Sequence, residues 1–177
     1  MINGSGNKIK IKKTARFDKC YFDITSSFSE ISIGSFEWGI NNLYVSCTGQ
    51  NCKLNIEDGI FISSAKIFLG ENKSSIYINK DLMCSMDVVL FTTDAHTIID
   101  NNSKKRINNM TKPILIGSHV WLGYGVFIGK NVTISDNTVV GAKSVVTNEF
   151  SESNVVIAGN PAKIIRRNIN WDKKLYE

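Results

Sequence analysis

IGSHVWLGYGVFIGKNVTISDNTVVGAKSVVT, residues 116–147, divides into sixes: IGSHVW, LGYGVF, IGKNVT, ISDNTV, VGAKSV, then VT. The first place of each six is a branched aliphatic: Ile116, Leu122, Ile128, Ile134, Val140 and Val146. The second is small (Gly117, Gly123, Gly129, Ser135, Gly141, Thr147), and the fifth is mostly β-branched (Val120, Val126, Val132, Thr138, then Ser144). A period of six matches neither the helical 3.6 nor the strand period of 2. It describes a short flat β-segment and a turn, with three such sides closing a triangular coil of eighteen residues. The first-place aliphatic points inward and stacks on its equivalent one coil later. The small second residue fits the corner, where a side chain collides or φ must turn positive.

Upstream the repeat loosens but continues. Apolar pairs recur as Ile9/Ile11, Ile31/Ile33, Leu54/Ile56 and Ile76/Ile78, with second members 22, 23 and 22 residues apart. That is a coil plus about four residues, supplied by the polar turns SSFSE, CTGQN and ENKSS. The next pair is Ile114/Ile116, so the step from Ile78 is 38 residues, about sixteen too many, before a clean eighteen to Ile134. The excess falls in 96–112, HTIIDNNSKKRINNMTK, and predicts a loop extruded from the wall with His96 at its root. Such loops tend to carry function. The chain therefore reads as one all-β solenoid domain of about seven triangular coils over 1–177. Coils are irregular over 1–77 and regular over 78–162, the extruded loop occupies 96–112, and 163–177 forms a short C-terminal helix or tail.

Composition sets the outer bounds. Of 177 residues, 42% are hydrophobic and 21% charged, ordinary for a soluble globular protein. No apolar run reaches the ~18 residues that span a membrane, and the N-terminus lacks the apolar core of a secretory signal. Four scattered cysteines without a CxxC pair predict reduced, mostly buried thiols in a cytoplasmic protein. The net charge of +5 is dispersed, and no aromatic-plus-basic platform argues for nucleic-acid binding.

Three stretches, DAHTIID at 94–100, KPILIGSHVWLGYGVFIGKNVTISDNTVVGAKSVVT at 112–147 and AGNPAKIIRR at 158–167, carry a family resemblance. The chain is similar there to the left-handed parallel β-helix acyltransferases with hexapeptide repeats, in the maltose/galactoside and polysaccharide O-acetyltransferase branch. The left hand comes from this resemblance alone, since crossover connections are otherwise nearly always right-handed. The resemblance implies that His96 is a general base that takes the proton of an acceptor hydroxyl as it attacks acetyl-CoA. Neutral imidazole suits that task near neutral pH. It also implies that the Trp121 main-chain carbonyl fixes the His96 tautomer and that the Tyr124 N–H faces the thioester oxygen. Gly123, Gly141, Ala142 and Thr147 would line the pantetheine arm, and Lys163 and Arg166 would approach the nucleotide phosphates. The groove would lie between subunits of a homotrimer. Many relatives carry Lys after VVT where this chain has Asn148, which leaves Arg167 as another phosphate partner.

The residues leave other readings open. A lone histidine at a loop root is otherwise a solvated or structural imidazole. Asp94 and His119 are candidate acceptor contacts, with loop-edge solvation and packing as the alternatives. Lys104, Lys105 and Arg106 form either a wet loop tip or a contact for an acidic glycan. The expected activity is O-acetylation of a sugar hydroxyl, of a capsular or surface polysaccharide or its precursor. Acetylation of an amino sugar nucleotide or an antibiotic hydroxyl uses the same machinery, and a scaffold or glycan-binding solenoid needs no coenzyme. A zinc hydrolase on this solenoid requires three histidines and the chain has two, so no metal is expected.

Overall fold

The computed structural model describes residues 1–13, 16–36, 38–109 and 112–174. The sixes become the sides of a prism. Its first face carries Lys8–Ile11, Glu30–Ile33, Lys53–Ile56, Ser75–Ile78, Ile114–Ile116 and Thr133–Ile134. The second carries Phe17–Asp18, Ile40–Asn41, Phe61–Ile62, Met83–Cys84, Trp121–Leu122, Thr138–Val140, Val155–Gly159 and Ala162–Arg167. The third carries Tyr21–Ile24, Leu43–Cys47, Ala65–Leu69, Val88–Phe91, Phe127–Ile128 and Val145–Val146. Within each face neighbouring strands run parallel, except the last pair of the second.

The register follows the apolar pairs read from sequence. Ile9 lies opposite Ile31, Ile31 opposite Leu54, Leu54 opposite Ile76, Ile76 opposite Ile114 and Ile116 opposite Ile134. The 38-residue step is thus one coil with an insertion. First-place aliphatics from Ile116 to Val146 are at most 1% exposed, and the fifth-place residues Val120, Val126, Val132, Thr138 and Ser144 are fully buried beside them. Ser144 Oγ donates to the Gly141 carbonyl (2.6 Å) and accepts from Gly159 N–H (3.1 Å), which removes the cost of burying a hydroxyl. Ile9 and Ile11 stay 36% and 47% exposed because their strand is the end strand of its face among the described residues.

The two roles assigned to the second place of each six separate in the structure. Collision with backbone acts at that place in two of the sixes: a Cβ on Gly117 would sit 2.6 Å from Asp136 N, and one on Gly123 would sit 2.8 Å from Ala142 N. Positive φ falls instead at the fourth place, on His119 (56°), Gly125 (65°), Asn131 (62°), Asn137 (50°) and Lys143 (59°). The fourth residue makes the corner, and the second lets successive coils approach.

Two expectations are corrected. The first and third faces hold six strands each, so there are six complete coils rather than seven; a seventh pass exists on the second face alone. From Asn148 onward the sixes stop, and only an isolated bridge, Ile134–Phe150, continues the first face. The C-terminal segment is not a helix. Ala162–Arg167 turns back antiparallel on Val155–Gly159, because the GNP turn lies between two β-branched runs. Beyond it the chain runs irregularly to Lys174, and the last part of the expected tail, 175–177, lies outside the described residues.

Candidate active site

The extruded loop leaves the edge between the third and first faces. Phe91 ends its strand, Thr92 is buried, and Ala95 takes a left-handed φ of 60° that turns the chain outward. Ala95 N–H donates to Thr93 Oγ1 (2.9 Å) and His96 N–H to the Asp94 carbonyl (2.6 Å), while the His96 side chain is exposed. The loop then folds as a small hairpin. Ile99 bridges Arg106 antiparallel, Ile107 N–H donates to Ile98 O (2.9 Å), and Asp100 Oδ1 caps the turn at Ser103 N–H (2.6 Å). Asp100 is therefore a turn residue. Met110 and Thr111, the loop's far end, lie outside the described residues.

Charge pairs hold the hairpin against the prism. Arg106 reaches Glu71 one coil below, and Lys130 one coil above reaches Asp94 and the Asn108 carbonyl (2.5 Å). The Arg106 guanidinium holds the Glu71 carboxyl below its ordinary range, and Lys130 does the same for Asp94. Of the KKR triplet, Lys104 and Lys105 are exposed near the tip while Arg106 is folded back. Beside this edge lies a groove of about 260 Å³ lined by Phe91, Asp94, Phe127, Lys130 and Thr147. Asp94 and Thr147 thus share this groove, and His96 follows two residues after Asp94 on the loop.

The other expected residues gather elsewhere. Gly123, Tyr124, Gly141 and Ala142 make the edge between the second and third faces, and Trp121 points outward from the second face, 40% exposed. Lys143 Nζ stands 4.3 Å over the Tyr124 ring, and the amides on either side of Tyr124 donate to the coil ladder, Gly123 to Val140 and Gly125 to Met86 (both 2.9 Å). Lys163 and Arg166 are exposed on the terminal antiparallel strand. Asn148 and Lys163 share a hollow of about 520 Å³ with Arg167, whose Nε is bonded to Glu152 (3.0 Å). Within one chain Gly123, Tyr124, Gly141 and Ala142 lie at the opposite edge of the third face from Asp94 and Thr147, while Lys163 lies beside Asn148 at the end of the prism.

His119 is engaged by the C-terminal segment. Trp171 stacks on its ring at 4.2 Å, Trp171 Nε1 donates to the His119 carbonyl (2.8 Å), and His119 Nε2 lies 3.0 Å from the Trp171 carbonyl. His119 Nδ1 lies 2.6 Å from Asp81 Oδ2. Burial works against the Asp81 charge, yet Lys173 and His119 keep that carboxyl low. Trp171 also packs at 6.0 Å against Trp121.

Sequence reading missed Glu71, Arg106, Asn108, Lys130, Asp81 and Trp171 as partners of the site residues. Coil arithmetic places Glu71 22 residues before Thr93, which donates to it (3.3 Å), so that contact was reachable. Asn108 and Trp171 carry no periodic signal. Among the described residues no three His, Cys, Asp or Glu side chains converge as a metal set, and no helix is long and apolar enough to cross a membrane.

A parallel solenoid with its histidine-bearing loop beside a groove defines the class: a hexapeptide-repeat β-helix. No protein-family model matches the chain. It is 47% identical over 100 residues to a polysialic acid O-acetyltransferase of Escherichia coli O1:K1, covering 56% of this chain and 32% of that protein. It is 39% identical over 138 residues to the polysialic acid O-acetyltransferase of Neisseria meningitidis, covering 77% and 63%. The chain thus spans less than two thirds of the length of either curated relative. The crystal structure of the polysialic acid O-acetyltransferase OatWY superposes with a TM-score of 0.76 at 32% identity, over 98% of this chain and 91% of that one. The chain belongs to the left-handed β-helix acyltransferases, in the branch that contains these polysaccharide O-acetyltransferases.

Proposed function

We propose that the chain is an O-acetyltransferase that moves an acetyl group from acetyl-CoA to a hydroxyl of an acidic, sialic-acid-containing surface polysaccharide. The observation that carries this is His96, exposed at the root of a pinned loop beside a groove, in a chain whose relatives are named polysialic acid O-acetyltransferases. The net charge of +5 and the exposed Lys104 and Lys105 suit a polyanionic acceptor.

In this reading the neutral imidazole of His96 accepts the proton of the acceptor hydroxyl, which is a poor nucleophile until that proton has a destination. The thioester supplies an activated acyl carbon when acetyl-CoA is bound: the C–S bond breaks after the hydroxyl oxygen has bonded to that carbon, and the proton held by His96 passes to the departing CoA thiol. The Tyr124 N–H meets charge developing on the thioester oxygen, and the Trp121 carbonyl accepts from the other imidazole nitrogen, which fixes the tautomer. Gly123, Gly141, Ala142 and Thr147 leave the backbone open to a narrow pantetheine chain, and Lys163 and Arg166 offer charge to phosphates. Asp94, beside the base, is the acceptor contact. His119 is left out of the acceptor contacts, because both its ring nitrogens and one ring face are taken.

Because Asp94 at the loop root and the Gly123–Tyr124 turn lie on opposite edges of the third face in one chain, this mechanism requires a second copy, and we propose a homotrimer with a site at each junction. The outer side of the third face carries a ladder of rings, Tyr21, Tyr44, Phe68, Phe91 and Phe127, 5.0 to 6.4 Å apart, that suits such a contact.

The test is acetyl-CoA turnover by purified protein with polysialic acid, neutral glycans and amino-sugar nucleotides as acceptors, followed by free thiol and acetyl-ester formation. Thiol release with ester formation on the sialic polymer is expected. Turnover on amino-sugar nucleotides alone would reverse the proposal.

A further inference from the structure

Asn108 is 8% exposed, close to the end of the extruded loop, and every hydrogen-bonding valence of its amide is filled. Its Oδ1 accepts from Ile98 N–H and from Arg106 Nε, each at 3.0 Å. Its Nδ2 donates to the His96 main-chain carbonyl and to Asp94 Oδ2, each at 2.8 Å. Only this orientation of the amide satisfies all four neighbours, since two are donors and two are acceptors. Its own carbonyl accepts from Lys130 Nζ at 2.5 Å.

From this arrangement we infer that Asn108 is the positioning residue for His96: it fixes the backbone of the base from across the hairpin through the His96 carbonyl, and holds Asp94 in the same grip. The inference rests on the reading of His96 as general base. The His96 side chain stands in solvent, so its place is set by its backbone. Ala95 N–H, His96 N–H, the His96 carbonyl and Ile98 N–H are each fixed, and the last two bonds belong to Asn108. Without them the His96 carbonyl and Ile98 N–H lose their partners, and between Ala95 and the Ile98–Ile107 bond the chain that carries the imidazole is free to shift. The Arg106–Glu71 and Lys130–Asp94 pairs bind the hairpin to neighbouring coils. Asn108 contacts members of both pairs and connects them to the base.

Displacing a base by about 1 Å costs on the order of 10²-fold in rate. Two variants read this out. Asn108→Ala removes all four amide bonds. Asn108→Asp keeps the shape and the two acceptor bonds but turns the donors into a carboxylate oxygen that repels the His96 carbonyl and the Asp94 carboxylate, so it breaks the same two bonds where the alanine variant fails to fold. In both, kcat for acetyl transfer is expected to fall on the order of 10- to 100-fold, with KM for acetyl-CoA within about twofold, since the hydrogen-bond partners of Asn108 are Ile98, Arg106, His96, Asp94 and Lys130 and not the residues proposed for the pantetheine or phosphates. Asn109→Ala, at the exposed neighbour, is expected to keep kcat within about twofold.

His96→Ala runs alongside. If it keeps full activity, the reading of His96 as base fails and this inference with it. If His96→Ala is inactive while Asn108→Asp turns over at the wild-type rate, the reading stands and the inference is overturned. A parallel loss of kcat and acetyl-CoA affinity with collapse of the melting transition in Asn108→Asp would overturn it too, because that pattern belongs to a residue that merely supports the fold.

Discussion

Leu122 has no exposed surface, and its strand is held in register between Cys84 of the coil below and Val140 of the coil above. Leu122→Ala removes an isopropyl group from the centre of the prism. At about 0.8 kcal/mol per buried methylene-sized group, the transfer term is roughly 2 to 2.5 kcal/mol. Ladder hydrogen bonds fix the coils on both sides, so the space cannot close by a shift of backbone, and the cavity term places the total at about 3 to 5 kcal/mol. With about 2 to 4 °C per kcal/mol for a chain of this size, the midpoint should fall by roughly 6 to 20 °C. Leu115→Ala supplies the contrast. Leu115 is 37% exposed and lies on the outer side of the first face, paired with Tyr77 and Thr133. Its loss should be about 0.5 kcal/mol, or a degree or two. Thermal unfolding followed by circular dichroism compares the two directly. Equal losses at Leu115 and Leu122 would mean that the phase of the six-residue repeat is misassigned.

Gly123→Ala drives a Cβ to 2.8 Å from Ala142 N and Val140 O, backbone atoms that cannot rotate away, and should cost about 1 to 3 kcal/mol in a melt. Gly129→Ala, whose Cβ would approach nothing closer than 3.5 Å, should be near neutral in the same assay. Half-buried Cys20 should react first with an aromatic disulfide reagent, whereas Cys84, whose thiol burial pushes up to about 12, should titrate only after denaturant is added. The carboxyls of Glu71 and Asp94 are depressed in the folded state, by Arg106 and Lys130 respectively. Their hold on the hairpin is therefore complete above the ordinary carboxylate range of about 4 and is lost as pH falls through the lower folded values. Amide exchange over 98–107, corrected for its intrinsic pH dependence, should accelerate on acidification below about pH 4, and Glu71→Gln should blunt that step.

Much of the architecture was legible because its cause is local and repeated. A residue such as Ile116 or Val140 meets the same demand each time the chain passes, so period and inward phase appear directly in the sequence. The position of the insertion followed by subtraction between Ile78 and Ile116, and the structure places it there. The division of labour between second and fourth places was less legible. Glycine serves both a close approach and a positive φ, and only coordinates show Gly123 with the first and Gly125 with the second. The coil count and the chain end were misjudged for a related reason. After Asn148 the repeat gives way to NEFSES, and the returning strand Ala162–Arg167 is antiparallel, a change that six-residue periodicity cannot signal.

The candidate site divides in the same way. Asp94 and Thr147 line one groove because their spacing follows the coils, whereas His96 lies on the loop that leaves the coil there. The bonds from Asn108 and Trp171 depend on how two non-repeating segments fold back, and nothing periodic marks them.

The central claim is that His96 is the base for acetyl transfer at this edge of the prism. The direct measurement is the initial rate of acetyl-ester formation on polysialic acid from acetyl-CoA by wild-type protein and by His96→Ala, with acetyl-CoA binding measured separately for each. The variant should lose on the order of 10²- to 10⁴-fold in rate while binding acetyl-CoA as the wild type does. A variant that acetylates the polymer at the wild-type rate would contradict it.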